Sequence, residues 1–486
     1  HISGDVANGF RLFYRMTKNQ TWLRNTGWPV IRGSADFFAS RAVPCDNSSC
    51  TLGGQGGATT RNLTYLSVVS PDESAGRHDS SAYTNGIAIT VLDFALEAAQ
   101  LLGETPSANW SSVSERLYLP IVDVPAGFMA GTPVHTEYHG YDQKSRPHIN
   151  QADVTLLQYP LGLRSNKRIF PPLPNSKNPD TQLAINDLLF WQPKSDNQIF
   201  YTGDSSNSIA WLEMGNRSAA DAQFDLAFTH MDLEHYNVFE ERNTGNFGHL
   251  NFITGAGGYL QNVVNGYLGL RYTPEGLNMR PVLPPHGVKS VKLRALSLAG
   301  SRMDMLLSSE SLIVTLAEGP AVTVKSQGAP DAKLMPGHPS ATVKLCKSCG
   351  CGCPGGGCGC FSILPTAPSS AAAKTDNSEQ GRPVPSFWHA GWGFISHGGF
   401  PPLPASWSAN ATDGKLSRSV VSYFLGNTTG MNNAAELEAQ AKFGIVGIGW
   451  QLNQVEPGKL EQYEVETSKA LKALRPDIKV MVSRNT

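Results

Sequence analysis

The hydrophobic pattern of the chain changes once, near Arg271, and this change sets the strongest limit on its fold. Before Arg271, apolar residues recur at three- and four-residue spacing between long loops, which is typical of amphipathic helices, and period-two alternation is almost absent. About eight helices are predicted there, at residues 4–17, 21–42, 85–102, 107–117, 181–191, 205–214, 218–231 and 254–268. Because each helix has an apolar stripe to bury, we expect a helical array or barrel over residues 1–271.

After Arg271 the apolar residues alternate with period two between turn residues. This pattern predicts short β-strands at 270–272, 277–281, 288–296, 303–307 and 312–316. We therefore expect a small antiparallel β domain over residues 272–345.

Residues 346–385 form a tract rich in Cys, Gly, Pro and Ser, which favours a linker. A zinc or copper(I) thiolate cluster is the alternative, although the Cys-Gly repeats lack the regular Cys-x-x-Cys pairs of a structural zinc site. Residues 386–486 then predict a helix at 434–442, a strand at 444–450, a helix at 460–474 and a strand at 478–482. This order indicates an incomplete parallel β/α domain whose function the sequence does not reveal.

The predicted helix 85–102 directly follows a loop that presents two adjacent carboxylates. Thr84 or Asn85 is a suitable N-cap for this helix, and Gly103 is a suitable C-terminal residue. In the loop before it, Pro71 leads into Asp72 and Glu73, so both acids lie on irregular backbone next to a rigid element, where catalytic groups are often found. Glu73 is the candidate proton donor.

Composition excludes several classes of partner. The 486 residues contain 39 Lys and Arg against 40 Asp and Glu, so no broad electrostatic attraction to nucleic acid or to an anionic membrane is expected, and a neutral polar partner fits better. No run of eighteen apolar residues occurs, which predicts a soluble chain.

Two features favour entry into the secretory pathway, with an extracellular, lysosomal or vacuolar final location. One is the close pair Cys45 and Cys50, and the other is a set of N-glycosylation sequons. These sequons begin at Asn19, Asn47, Asn62, Asn109, Asn216, Asn410 and Asn427. The chain opens at His1 in a helical pattern without a charged leader, so we interpret it as a fragment that does not include a signal region.

A second acidic pair, Glu240-Glu241, lies shortly before a glycine-rich segment at 251–261. Glycoside cleavage needs one carboxylic acid to protonate the leaving oxygen and one carboxylate to activate water, and two separate acidic loops can supply that pair. Between them, residues 135–160 hold clustered His, Tyr, Asn and Gln, which suit sugar hydroxyls, and aromatic rings that suit sugar stacking. A histidine metal site is the competing interpretation, but the spacing matches no zinc pattern. No cofactor is expected.

Several motifs together resemble glycoside hydrolase family 65, which includes acid trehalases, protein-glucosylgalactosylhydroxylysine glucosidases and disaccharide phosphorylases. They are Pro71-Asp72-Glu73 with Tyr83-Thr84-Asn85, Gln151-Ala152-Asp153-Val154 with Tyr159-Pro160, and the segment Asn251-Phe252-Ile253-Thr254-Gly255-Ala256-Gly257-Gly258-Tyr259-Leu260-Gln261. The resemblance extends in register from residue 1 to about residue 316. It implies a partial (α/α)6 catalytic barrel over residues 1–271, with its first part missing, followed by a C-terminal β-sandwich.

The resemblance also implies roles for individual residues. By position, Glu73 matches the general acid of the family and Glu241 the general base of its hydrolases, with Glu240 in reserve. Asp72, Asn150 and Gln151 fall in the substrate site, where this chain has Asn150-Gln151 in place of the usual Lys-Gln. The Trp-Asp sugar clamp of the family lies upstream of His1.

The sequence therefore predicts an inverting α-glucosidase that acts on a carbohydrate, such as a trehalose-like disaccharide or glucosylgalactosyl-hydroxylysine. Within enzymes, the alternative is an inverting phosphorylase of trehalose, kojibiose or maltose. Outside enzymes, the alternative is a non-catalytic carbohydrate-binding glycoprotein, because the changed Asn150 and the missing upstream clamp weaken the substrate site.

Overall fold

A computed structural model provides the structure of the chain. It describes residues 1–46, 50, 61–195, 203–229, 231–232, 238–241, 252–326, 330–345, 361–366, 421–423, 434, 437–438, 441, 445–448, 459–476 and 479–482. The chain divides into two compact units, with the described residues up to Thr366 in the first unit and those from Val421 onward in the second.

Helices dominate the first 270 residues, as the periodicity predicts. The α-helices are α1 (Ile2–Thr17), α2 (Gln20–Trp22), α3 (Trp28–Arg41), α4 (Ala82–Leu102), α5 (Ala108–Arg116), α6 (Gln182–Ser195), α7 (Asp204–Glu213), α8 (Arg217–Phe228) and α9 (Ile253–Gln261). A π-helical turn, Leu23–Gly27, separates α2 from α3. Pro29 lies in the first turn of α3, where its missing N–H costs nothing, so the predicted helix 21–42 is split there.

Helix α4 lies at the centre of the larger hydrophobic core. Most of its residues are buried, and they pack against apolar residues of α1, α3 and α5. Its length and hydropathy would allow it to cross a membrane, but 72% of its apolar window is buried inside the protein, as in a core helix. Ser81, rather than Thr84 or Asn85, caps its start, because the Ser81 side chain accepts a hydrogen bond from the Thr84 amide. Gly103 ends the helix in the left-handed conformation, as predicted.

Pairs of short antiparallel strands lie between the helices of this region. They are β1 (Val43–Pro44) with β2 (Leu63–Thr64), β3 (Val68–Val69) with β4 (Arg77–His78), β5 (Ile121–Asp123) with β6 (Pro133–His135), and β7 (Met231–Asp232) with β8 (Val238–Phe239). Short 3-10 helices form at Glu73–Ala75, Val154–Leu157 and Leu163–Ser165. Helix α9 begins after Phe252, one residue before the predicted start at 254, and it continues into a π-helical segment, Asn262–Tyr267.

Two antiparallel sheets follow the helices. The first has the order β15-β14-β17-β10-β9 and the second β11-β12-β13-β16. Their strands are β9 (Arg271–Tyr272), β10 (Leu277–Met279), β11 (Ser290–Leu298), β12 (Ser301–Ser308), β13 (Ser311–Glu318), β14 (Val322–Ser326), β15 (Ala332–Leu334), β16 (Ser340–Lys344) and β17 (Phe361–Pro365). Buried side chains from both sheets form one core cluster, so the two sheets pack as a sandwich.

The predicted end of the β domain at residue 345 is wrong. Strand β17 comes from the predicted linker 346–385 and pairs with both β10 and β14 in the middle of the first sheet. Its Phe361 and Ile363 are buried in the sandwich core. The sequence hides this strand because five residues with only two buried side chains lie between a Cys-Gly tract and a Pro-Ser-Ala run. The Cys-rich residues 346–360 lie outside the described residues, so the linker and metal interpretations stay untested.

The second unit contains a parallel sheet in the order β18-β19-β20. Its strands are β18 (Val421–Tyr423), β19 (Ile445–Ile448) and β20 (Lys479–Val482), and α10 (Leu460–Leu474) connects β19 to β20. The strand-helix-strand order agrees with the sequence prediction, and α10 has the predicted bounds. The predicted helix 434–442 lies largely outside the described residues.

Candidate active site

Glu73 begins a single turn of 3-10 helix, Glu73–Ala75, which precedes strand β4 and then α4. The turn closes by a hydrogen bond of 3.0 Å from the Gly76 amide to the Glu73 carbonyl. Gly76 has a φ of 78°, a conformation that favours glycine and reverses the chain direction. The Glu73 side chain is exposed.

Two side chains clamp the carbonyl groups of this turn. Arg146 donates to the Ser74 carbonyl at 3.2 Å, to the Ser74 hydroxyl at 2.9 Å and to the Asp72 carboxylate. On the other side, His78 Nε2 lies 2.6 Å from the Ala75 carbonyl, and its ring stacks on Tyr138 with a centroid separation of 3.6 Å. The backbone that carries Glu73 is therefore held by side-chain contacts on both sides.

The predicted substrate segment lies directly against the Glu73 turn. The backbone amide of Asn150 donates to Asp72 Oδ2 at 3.3 Å, and the backbone amide of Asp72 donates to Asp153 Oδ2 at 3.2 Å. Asn150 and Gln151 are half-buried. The structure thus places the backbone of Asn150, which Gln151 follows in sequence, against Asp72 next to the Glu73 turn. The buried Asp72 carboxylate has its partners within the protein.

Three carboxyl groups beside the turn are completely buried, namely those of Asp72, Glu137 and Asp153. Burial raises the pKa of the Glu137 carboxyl, and the nearby Asp153 and Asp72 carboxylates raise it further. Burial also raises the pKa of the Asp153 carboxyl. The guanidinium of Arg146, with its Nε 3.4 Å from Glu137 Oε2, is the cation that opposes these shifts.

The second acidic pair follows strand β8. Glu240 and Glu241 are both half-buried. The preceding residue, Phe239, accepts a hydrogen bond of 2.6 Å from the Phe252 amide at the start of α9. A Cβ at Gly255 would lie 3.3 Å from Phe239 Cβ, so the absence of a side chain there lets β8 approach α9 closely.

Close contacts connect the elements next to the two acidic segments. A Cβ at Gly203 would lie 3.0 Å from the Ala152 Cβ, and a Cβ at Gly258 would lie 3.1 Å from the Ser205 Cβ. Segment 150–159 therefore packs on the start of α7, and α7 packs on α9. The Glu73 turn contacts segment 150–153, and the strand before Glu240-Glu241 contacts α9. Both acidic segments are therefore next to the same packed elements, which are segment 150–159, α7 and α9.

The histidine-rich segment does not offer His135 to a ligand. His135 and Glu137 are completely buried. His135 Nδ1 lies 2.8 Å from the Asp187 carboxylate and Nε2 lies 2.8 Å from the Ile169 carbonyl, so both ring nitrogens have partners inside the protein. The expectation that this cluster faces sugar hydroxyls is wrong for His135, because clustering in sequence does not report burial. Within the described parts of the chain, no group of three or more His, Cys, Asp or Glu residues is arranged to hold a metal ion.

Two residues of this site were not identified from the sequence. Arg146 lies in a polar loop next to Pro147, where no periodic pattern indicates its direction. Asp153 belongs to the Gln-Ala-Asp-Val motif, which was the available signal. Its role as an acceptor for the Asp72 amide becomes visible only in three dimensions.

Sequence comparison finds that the chain is similar to several glycoside hydrolases. No family model matches the chain. A protein-glucosylgalactosylhydroxylysine glucosidase of Dictyostelium discoideum is 29% identical over 308 residues, which are 63% of this chain and 38% of that protein. A kojibiose hydrolase of Flavobacterium johnsoniae is 28% identical over 299 residues, or 60% of this chain and 37% of that protein. A periplasmic acid trehalase of Saccharomyces cerevisiae is 30% identical over 288 residues, or 57% of this chain and 21% of that protein.

These relatives are enzymes of the kinds that the motifs predict, which confirms the resemblance to glycoside hydrolase family 65. The chain spans less than half the length of these curated relatives. Among solved structures, a putative kojibiose phosphorylase from the human microbiome matches 70% of this chain and 46% of its own, with 14% identity and a TM-score of 0.49.

Proposed function

We propose that this chain carries the general acid and general base of an inverting glycoside hydrolase that removes a terminal α-glucosyl residue. The observation that supports this most directly is the clamped turn, which carries the exposed Glu73 side chain next to Asp72, the residue that the Asn150 backbone amide contacts. The named activities of the relatives, which are a glucosidase, a kojibiose hydrolase and an acid trehalase, point to the same chemistry. The (α/α)6 barrel is proposed as the architecture that completes the site.

In the proposed reaction, the Glu73 carboxylic acid donates its proton to the glycosidic oxygen as the bond to the anomeric carbon breaks. Glu241 takes a proton from a water molecule, whose oxygen attacks the anomeric carbon from the opposite face. Glu240 is the reserve candidate for the base. We expect the two carboxyl groups to lie about 6.5–9.5 Å apart, because one water molecule must fit between the base and the sugar. A separation of about 5 Å would indicate a retaining mechanism.

The substrate contacts are proposed to come from Asn150 and Gln151. The Asp72 carboxylate also belongs to the predicted set, but it is buried and accepts hydrogen bonds from Arg146 and the Asn150 amide. Its contribution to binding would then be to hold Asn150 in place. Asn150 offers a neutral amide, which binds a sugar hydroxyl more weakly than a lysine ammonium does.

Hydrolysis is favoured over phosphorolysis by charge. The adjacent carboxylates of Glu240 and Glu241 would repel a phosphate dianion at the position of the nucleophile. We therefore propose that water is the acceptor.

We also propose that the protein enters the secretory pathway. Cys45 and Cys50 form a disulfide, with their Cα atoms 5.6 Å apart. The sequon residues Asn19, Asn109 and Asn216 are exposed and therefore accessible to glycosylation. The acid trehalase relative is named as periplasmic, which points in the same direction.

The test uses the protein at its full native length with kojibiose, trehalose and glucosylgalactosyl-hydroxylysine as separate substrates. With the last of these, glucose is the only free sugar released, and time-resolved proton NMR should show the β-anomer first and the α-anomer later by mutarotation. Initial formation of α-glucose would contradict inversion. Turnover that requires inorganic phosphate and yields glucose 1-phosphate would assign a phosphorylase instead, and binding without cleavage of any of the three would assign a carbohydrate-binding protein.

A further inference from the structure

We propose that Arg146 is a positioning residue for Glu73, and that it acts by fastening the Glu73 turn to a buried, proton-sharing cluster formed by Asp72, Glu137 and Asp153. This inference rests on the proposed role of Glu73 as the general acid.

The contacts of Arg146 concentrate on the residues that flank Glu73. Its Nη1 donates to the Ser74 carbonyl at 3.2 Å, and its Nη2 donates to the Ser74 hydroxyl at 2.9 Å and to the Asp72 carboxylate. The Ser74 hydroxyl in turn donates to Asp72 Oδ1 at 2.7 Å. One guanidinium thus bonds the residue before Glu73 and the residue after it, which fixes the backbone from which the Glu73 side chain extends.

The other side of Arg146 faces the cluster. Its Nε lies 3.4 Å from Glu137 Oε2. The carboxylate of its partner Asp72 accepts a hydrogen bond from the Asn150 backbone amide, and the Asp72 backbone amide donates one to Asp153. The clamp therefore connects the Glu73 turn to two other stretches of chain, at Glu137 and at 150–153. Because all three carboxyls are completely buried, this anchor is shielded from water.

The charges of the cluster indicate that it holds a proton. Three completely buried carboxyl groups face the Arg146 guanidinium, which pairs with Asp72 and lies 3.4 Å from Glu137. One cation does not balance three carboxylates, and an unpaired buried carboxylate is costly, so at least one of the three groups is expected to be protonated.

Among the residues that the structure describes, the other charged and titratable groups around the cluster do not supply a second cation at its centre. Tyr138 and Tyr141 interact electrostatically with Glu137, Arg146 and Asp142, and His78 stacks on Tyr138 while it bonds Ala75. Arg146 is therefore the group whose planar fork matches the arrangement of acceptors. A lysine keeps the charge but, as a point charge on a flexible stem, does not reproduce the fork.

The test separates positioning of the acid from general stability by changing the leaving group. Cleavage of a disaccharide needs a proton donor, whereas α-glucosyl fluoride loses fluoride without one. In the full-length protein, Arg146→Lys is expected to lower kcat for the disaccharide at least about tenfold, with KM nearly constant and turnover of α-glucosyl fluoride changed much less. Arg146→Met, if it folds, should show the same selectivity with a larger loss.

Arg168→Met is the matched control. Arg168 also bridges distant segments, through Asp93 and the Ser114 hydroxyl, but it lies away from the Glu73 turn. Turnover of both substrates should stay at the original level in this variant once the folded fraction is counted. An equal loss of both substrates in a folded Arg146→Lys protein, or no loss of either, would overturn the positioning role.

Glu73→Gln distinguishes failure of this inference from failure of the proposed function. If Glu73→Gln spares α-glucosyl fluoride and abolishes disaccharide cleavage while Arg146→Lys behaves like the original protein, Glu73 is the acid and only the inference fails. If Glu73→Gln has no selective effect, the assignment of Glu73 itself is wrong.

Discussion

The Tyr159 hydroxyl donates a hydrogen bond of 2.5 Å to Oε1 of Gln261, which lies 102 residues further along the chain. This bond joins two of the motifs that indicate the family, the Gln-Ala-Asp-Val segment with Tyr159-Pro160 and the glycine-rich α9. The Arg271 guanidinium lies over the Tyr159 ring at 4.9 Å and also pairs with Glu213 of α7. Tyr159 is therefore a junction between the substrate segment, α7, α9 and the first strand of the sandwich.

Tyr159→Phe is expected to lower the free energy of unfolding by about 1 kcal/mol, because the ring packing remains and only one hydrogen bond is lost. Chemical denaturation of the purified variant measures the change. Tyr118→Phe is the control, since the Tyr118 hydroxyl is buried and has no hydrogen-bond partner among the described residues. Removing that hydroxyl should leave stability unchanged or slightly increased. A larger loss for Tyr118→Phe than for Tyr159→Phe would contradict this account.

Glu73→Gln and Glu241→Gln are each expected to lower kcat for an α-glucoside at least about a hundredfold, because each removes one of the two proton transfers. Steady-state kinetics on kojibiose or glucosylgalactosyl-hydroxylysine provides the measurement. Glu275→Gln, an exposed carboxylate of the sandwich loop between β9 and β10, is the control and should retain full activity. Full activity of Glu241→Gln together with a large loss in Glu240→Gln would move the base to the neighbouring residue.

The helical half of the fold follows from the sequence because amphipathic stripes report which face is buried. The bounds of α1, α5 and α10 lie within about two residues of the prediction, the usual uncertainty of helix ends. Strands β12 and β13 were also predicted, because their buried and exposed residues alternate. Strand β17 was missed, since a five-residue segment inside low-complexity flanks has too little periodicity to be recognised.

The candidate site was predictable only where a motif marks it. Glu73, Asn150 and Gln151 were predicted through the family resemblance, and the structure places the Asn150 backbone against Asp72 beside Glu73, while their roles stay predictions. Arg146 was missed because its proposed positioning role depends on a contact across 74 residues of chain, which local patterns do not encode. His135 was assigned to the wrong environment, since a loop rich in His and Tyr looks alike in sequence whether it faces solvent or the core.

His135 and Asp187 form a buried pair. Replacing the Asp187 carboxylate with a neutral amide should destabilise the protein less than removing the side chain. Asp187 accepts from the His135 backbone amide at 2.8 Å through Oδ1 and faces the His135 ring through Oδ2. Asp187→Ala leaves these groups without partners in the core and is expected to cost about 3–5 kcal/mol of unfolding free energy. Asp187→Asn keeps the amide acceptor, and its NH2 can donate to Nδ1 of a neutral His135 that still donates from Nε2 to Ile169.

The measurement is the unfolding free energy of both variants, and the Asn variant should lose less than half of what the Ala variant loses. Equal losses would show that the charge itself, rather than the hydrogen bonds, stabilises the pair.

Glu137 should make the protein less stable as the pH rises. Its pKa is raised by burial and by the neighbouring Asp153 and Asp72 carboxylates, so the folded protein binds this proton more tightly than the unfolded chain does. The resulting stabilisation is fully present below the ordinary carboxyl pKa, about 4.3, and is lost as the pH rises from there through the raised value. The protein should therefore become less stable as the pH increases from mildly acidic through neutral.

Glu137→Gln is expected to reduce this pH dependence, because an amide carries no proton to release. The amide oxygen can face Arg146 Nε, and the side chain keeps the shape of the protonated acid, so the packing around it is retained. Melting temperatures measured at several pH values between about 4.5 and 8.5 should fall less steeply in the variant than in the original protein. Glu115→Gln, which removes an exposed carboxylate of α5, should leave the slope unchanged. An unaltered slope in Glu137→Gln would mean that the cluster keeps its proton on another group, and Asp153→Asn would then be the variant that flattens the profile.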